Sequence, residues 1–298
     1  MPVEPLRGMP GEPWQGMPVE PRREPMTYLH PSWQLSAGCA VLLAVLWGAL
    51  SLSPRSGPVE VLRSFAREFA VVMTLLGIWQ YVGRLVRTRV DGAYQHAEQV
   101  QELQRLLHLP DELRLQELVL PHDWLVQAMN VYYAFAHLNG MAIFLVWIWW
   151  RRRESFRAVR NTLVGTTLIC LLVQMIPVAP PRLLPGAGFV DTALQYGQSV
   201  YGEYATGVAA QLTAMPSVHV AWAAIVGWYI TGLGRGPLRW IGLTHLVLTV
   251  LVVVLTANHW WLDGIVAAAI MLAVLTVQRL VSTALARRPE PEPVPSPV

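Results

Sequence analysis

Five polar side chains set among apolar runs, Arg182, Ser217, His219, His259 and Asp263, are of the types that transfer a phosphoryl group. Histidine changes charge near neutral pH, so it can hand a proton to a leaving alcohol or attack phosphorus itself. In MPSVH, residues 215–219, Pro216 suits the first turn of a helix, where its missing N–H costs nothing. Ser217 and the free backbone N–H groups of that turn would make an anion site at the positive end of the dipole, with His219 beside it as a general acid. In NHWWLD, residues 258–263, Asp263 follows His259 by four positions and so shares its helix face. A carboxylate bonded to one ring nitrogen fixes the tautomer and leaves the other nitrogen free to attack. Arg182, in VAPPRLLPG at residues 178–186, offers a planar fork of donors matched to phosphate oxygens.

These motifs lie far apart in the chain and need helices to bring them together. The 40 residues from His219 to His259 equal two membrane crossings of about 20 residues each. Both histidines therefore return to one surface, which Arg182 reaches by the preceding crossing. Composition agrees with a bilayer as solvent: of 298 residues, 54% are hydrophobic and 14% charged, and the mean hydropathy is +0.39. Apolar runs fall near residues 35–52, 65–86, 128–150, 159–179, 216–234, 238–256 and 260–284. The expected fold is an all-α integral membrane protein, a transmembrane bundle of seven helices, or six if the short first run lies in the interface. Residues 87–127 mix Gln, Glu, Leu and Arg at helical spacing and predict an amphipathic helix at the membrane surface, a lid or a support.

Residues 1–34 read as a disordered Pro-rich tail built on an eight-residue repeat, 35–64 as an additional membrane segment and loop, 65–285 as the catalytic domain, and 286–298 as a second Pro-rich tail. The first tail lacks the zones of a secretory signal, and Met26, where the repeat ends, is an alternative start. All 22 basic residues are arginine, so any anion site must use Arg, His, hydroxyls or backbone N–H groups. The net charge of +3 is modest, and no nucleic-acid partner is expected. Cys39 and Cys170 sit inside apolar runs and read as core residues. Five arginines in residues 151–160, two in 235–239, and Arg287 with Arg288 belong in the cytoplasm. The loops at 180–215 and 256–259 then face outside, giving a multi-pass protein of the cell membrane with an outward-facing active site. Arg84, Arg87 and Arg89 oppose that orientation.

Weaker signals surround the central five. Asn130, Tyr133 and His137 share a helix face and would line a headgroup pocket or bridge neighbouring helices. Asp191 and Glu203, in the outer loop, would recognise substrate hydroxyls. Pro180 and Pro181 end a helix, and Trp260 and Trp261 read as interface anchors. His108, His122 and His245 suggest no role.

At these residues the sequence resembles the type 2 phosphatidic acid phosphatase (PAP2) superfamily, and within it the branch containing inositol phosphorylceramide synthase, over roughly residues 65–285. Pro216, Ser217 and His219 match its PS-x-H motif, His259 and Asp263 its H-x-x-x-D motif, and the PPRL at 180–183 looks like that branch's form of the first motif. The resemblance implies His259 as the nucleophile that forms a phosphohistidine, Asp263 as its orienter, His219 as acid and then base, and Arg182 and Ser217 as phosphate binders. It implies a lipid phosphoester substrate and no metal or cofactor. The phosphatase pattern places cations where this chain has Met175 and Val253. Their absence leans toward the synthase-like branch, in which an alcohol takes the phosphoryl group; the inositol-phosphate-type headgroup is implied by the resemblance to that branch alone. Two other classes compete: a metal-dependent membrane hydrolase with His219, His259 and Asp263 as ligands, and a transporter whose polar residues line a path. No inverted repeat supports the transporter.

Overall fold

A computed structural model describes residues 32–54, 56–86, 91–198, 211–234 and 236–287, without the side chains of residues 83–86 and 137. Most of both expected tails, together with Arg87, Arg89 and Glu203, lies outside these residues. The described chain is helical: α1 Trp33–Ser51, α2 Gly57–Val86, α3 Ala93–Leu106, α4 Glu112–Val119, α5 Asp123–Arg151, α6 Arg153–Val173, α7 Thr192–Gln195, α8 Val218–Leu233, α9 Leu238–Leu255 and α10 Trp261–Ala286, with a 3-10 turn at Pro181–Leu183. By length and composition α1, α6, α9 and α10 can each cross a membrane, and α5 makes a fifth if its halves, bent by 46°, count as one span. That is fewer than the six or seven crossings expected. The apolar α8 has only 16 residues, and α2 carries Glu60, Arg63, Arg67 and Glu68 along its first turns.

Local chemistry sets the boundaries. Ser32, Asp111, Asp191 and Ser217 each cap a helix by accepting a backbone N–H of its first turn. The ends of α3 and α9 share a different device. After α3, His108 N–H bonds Arg105 O and Leu109 N–H bonds Gln104 O; after α9, Ala257 N–H bonds Val254 O and Asn258 N–H bonds Val253 O. This is the Schellman closure, which needs a left-handed residue just past the helix. The positions are held by His108 at φ 54° and Ala257 at φ 52°, where glycine is usual.

Side-chain hydrogen bonds fix the packing. Ser36 bonds Gln80 while Arg63 bonds the Leu50 and Ser53 carbonyls, making α1 and α2 an antiparallel hairpin. On α6, Thr162 meets Tyr229 of α8 and Gln278 of α10, and Thr167 receives the Trp222 N–H of α8. Such polar pairs join helices where lipid supplies no hydrophobic force. α8 is the axis of the bundle, with ten residues buried from Val218 to Ile230. It lies against α9 where Gly227 faces Gly242; a Cβ on Gly242 would sit 2.8 Å from Ile230 Cβ, so the backbones pass too closely for a side chain.

The segment expected as one amphipathic surface helix is broken into two helices, α3 and α4, by the closure of α3 at Leu107–Leu109. Its polarity also runs opposite to a soluble amphipathic helix. Gln104, Glu112 and Gln116 are buried, while Leu103, Leu106, Leu107 and Leu118 are exposed. The physical reason is that the buried polar groups have partners at Val190, Trp261 and Leu262.

Candidate functional site

The three motifs arrive from different helices and are joined by backbone hydrogen bonds. α6 ends at Gln174, whose side chain donates to Pro216 O. Val178 then pairs with the strand-like stretch before α8, with Val178 N–H bonding Leu212 O and Ala214 N–H bonding Val178 O. Arg182 N–H bonds Ala257 O, just before His259, and Ser217 N–H bonds Asp263 O. The PPRL turn, the MPSVH turn and the NHWWLD turn are thus one hydrogen-bonded unit at one end of the bundle.

Within it the sequence pairing of His259 with Asp263 holds. His259 Nδ1 lies 2.9 Å from Ala214 O and 3.1 Å from Asp263 Oδ2. Two acceptors on Nδ1 require a proton there, so in the neutral ring it is Nε2 that carries the lone pair. Nε2 faces His219 Nδ1 at 3.4 Å; with His259 neutral, His219 is the donor of this contact. The rings are tilted by 56° with centroids 5.4 Å apart. Asp263 is wholly buried; Oδ2 also accepts the Trp260 N–H at 2.9 Å, and Oδ1 has no hydrogen-bond partner among the described residues. The carboxylate is therefore committed to holding one ring. His259 is 6% exposed and His219 more, so access comes from the His219 side.

The remaining residues fall into place unevenly. Ser217 is fully buried, and its hydroxyl accepts Val220 N–H, so it acts as a helix cap. The Arg182 side chain is almost buried, with Nη2 on Gln211 Oε1 at 2.6 Å and Nε 3.6 Å from Asp191 Oδ2. Asp191 also caps α7 through Leu194 N–H. Tyr133 stacks on His219, ring centroids 4.4 Å apart and planes 22° apart. Asn130, 2% exposed, gives its amide to Gln198 and takes the Thr192 hydroxyl, which is the bridging alternative for that residue. His137 lies on α5, its side chain outside the described ones. Among the described residues no three His, Cys, Asp or Glu side chains are grouped to hold a metal ion.

Trp260 is not the interface anchor expected. Trp260 is 1% exposed and donates its indole N–H to Ala179 O, three residues before Arg182. Trp261 donates its indole N–H to Pro110 O. The first backbone donors of α10 are satisfied from outside the helix: Trp261 N–H by Glu112 and Leu262 N–H by Gln104, whose amide also bonds Glu112. Burial raises the Glu112 carboxyl above its ordinary value. Gln104, Glu112, Gln211 and Trp260 are the supports missed in the sequence. Polar side chains on the apolar-poor face of residues 93–119 were the available signal, but their partners are more than 140 residues away.

A hydrogen-bonded His–Asp pair facing a second histidine, with a guanidinium on the same folded unit, is equipped for nucleophilic transfer with acid–base assistance. A family model described as the PAP2 superfamily matches residues 98–277, more than half of the chain and a span containing every one of these side chains. No curated protein and no solved structure matches. That superfamily comprises phosphatases and phosphotransferases of phosphoesters, and this chain belongs to it.

Proposed function

We propose that the chain is a lipid phosphotransferase or phosphatase that works through a phosphohistidine, without a metal. The observation that carries this reading is the relay in which Asp263 and Ala214 O hold the Nδ1 proton of His259, leaving Nε2 facing His219 at 3.4 Å. A phosphoester displaces the 3.4 Å contact between the two rings, with its charge taken up by Arg182. Nε2 of His259 attacks phosphorus, a P–N bond forms, the ester P–O bond breaks, and protonated His219 gives its proton to the departing alkoxide. In the second step His219 accepts the proton of water or an acceptor alcohol, whose oxygen attacks phosphorus and breaks the P–N bond. Asp263 holds the ring throughout, and Tyr133 keeps His219 in plane.

The reaction takes place at the outer face. Supporting this, Arg153 stacks on Trp149, Arg239 on Trp240 and Arg279 on Trp228 at the end of the bundle away from the histidines, and basic residues mark the cytoplasmic side. Met175 and Val253, apolar where the phosphatase pattern has cations, favour transfer of an inositol-phosphate-type headgroup over general phosphate release. Detergent-purified wild type and His259→Ala are compared for phosphate release and headgroup transfer over a panel of lipid phosphoesters with EDTA present. Turnover by wild type alone is expected. Loss of wild-type turnover in EDTA, or turnover by the variant, overturns the reading.

A further inference from the structure

We infer that Asp191 selects the substrate by charge, making this site one for monoanionic phosphodiesters and disfavouring dianionic phosphomonoesters. The inference rests on the reading of Arg182 as the phosphate clamp. The Arg182 side chain is 3% exposed and that of Asp191 21%, and they meet at 3.6 Å through Nε and Oδ2. A bound phosphoester must therefore share this guanidinium with a carboxylate.

Asp191 is not free to swing away. Its Oδ1 accepts Leu194 N–H. On one side, Val190 exchanges two hydrogen bonds with the buried Gln116 amide. On the other, the Thr192 hydroxyl and the Gln198 amide both bond the Asn130 side chain. The segment also spans the histidines: Phe189 packs edge-on against Trp260, next to His259, and Asn130 stands one turn from Tyr133, which stacks on His219. The carboxylate is thus a fixed charge beside the reacting phosphate.

Among the described residues named here the formal charges then balance without substrate. With His219 protonated as the acid, it and Arg182 supply two positive charges against Asp191 and Asp263. A diester brings one negative charge to this site and a monoester at neutral pH brings nearly two. At roughly 6 Å and an effective dielectric of about 40, one further unit of repulsion from Asp191 corresponds to on the order of tenfold.

The test compares wild type, Asp191→Asn and Asp191→Glu. Asparagine keeps the cap on Leu194 N–H and removes the charge; glutamate keeps the charge. The readout is the ratio of kcat/KM for a lipid phosphodiester to that for the matching phosphomonoester. It is paired with inhibitor binding by a lipid phosphonate and its monomethyl ester, which differ by one charge and do not react. Asp191→Asn is expected to shift both ratios toward the dianion by on the order of tenfold, and Asp191→Glu to keep the wild-type ratios. Unchanged ratios in Asp191→Asn overturn the role of Asp191 and leave the phosphohistidine reading standing. Wild type that neither turns over an ester nor binds a phosphonate overturns both.

Discussion

Replacing Glu112 tests how the start of α10 is held. Glu112 is 4% exposed, and its Oε1 accepts the Trp261 N–H at 3.2 Å and the Gln104 amide at 2.7 Å. Glu112→Ala orphans two buried donors, each costing about 1–3 kcal/mol. The loss expected is about 2–4 kcal/mol, a large part of the roughly 5–15 kcal/mol that a folded domain has. Glu112→Gln keeps a carbonyl oxygen in place and should stay within about 1 kcal/mol of wild type at neutral pH. The two substitutions also differ in pH dependence. Burial raises the folded carboxyl above 4.5, so the folded state binds the proton more tightly than the unfolded chain. Stability from this group is complete below pH 4.5 and declines as pH rises through the folded value; Glu112→Gln removes that slope. The assay is denaturant unfolding in detergent micelles followed by tryptophan near-UV circular dichroism, with turnover measured in parallel. Because Trp261 opens the helix that carries Asp263, turnover should fall with stability in Glu112→Ala. An alanine variant as stable as wild type, or a glutamine variant as unstable as alanine, refutes the reasoning.

Asp263→Asn removes the charge that holds the Nδ1 proton on His259 and is expected to lower kcat by about 10²- to 10⁴-fold with the fold intact, checked by turnover beside circular dichroism. Trp260→Phe leaves the buried Ala179 carbonyl without its donor; a loss of about 1–3 kcal/mol in the same unfolding assay is expected. Gly242→Ala places a Cβ 2.8 Å from Ile230 and should cost about 1–3 kcal/mol, whereas Gly38→Ala, which meets nothing within 4 Å, should gain about 0.5–1 kcal/mol. Equal effects of the two glycine substitutions would remove the close approach of α8 and α9 as their cause.

The pairing of His259 with Asp263 holds, but not on the shared helix face expected: His259 precedes Trp260, the N-cap of α10, and Asp263, at the third position of that helix, reaches back to it as it does to the Trp260 N–H. The helices themselves were legible from apolar runs, with boundaries at Ser32 and Ser217 close to those expected. Trp260 misled because an interfacial tryptophan and a buried one have the same local sequence; only the Ala179 carbonyl, 81 residues away, distinguishes them. At Ser217 the structure adds a helix cap, the hydroxyl accepting the Val220 N–H, and this acceptor bond does not bear on whether its O–H serves a ligand.

The sequence by itself determined most of the apolar helices and the approach of His219 to His259, because residue type and helical or bilayer spacing are properties of short stretches. Tertiary structure alone decided the rest: the ion pair of Arg182 with Asp191, the stacking of Tyr133 on His219, and the capping of α10 by Gln104 and Glu112. Each depends on where a loop or a second helix comes to lie, and a buried polar group chooses its partner only when the whole chain has closed around it.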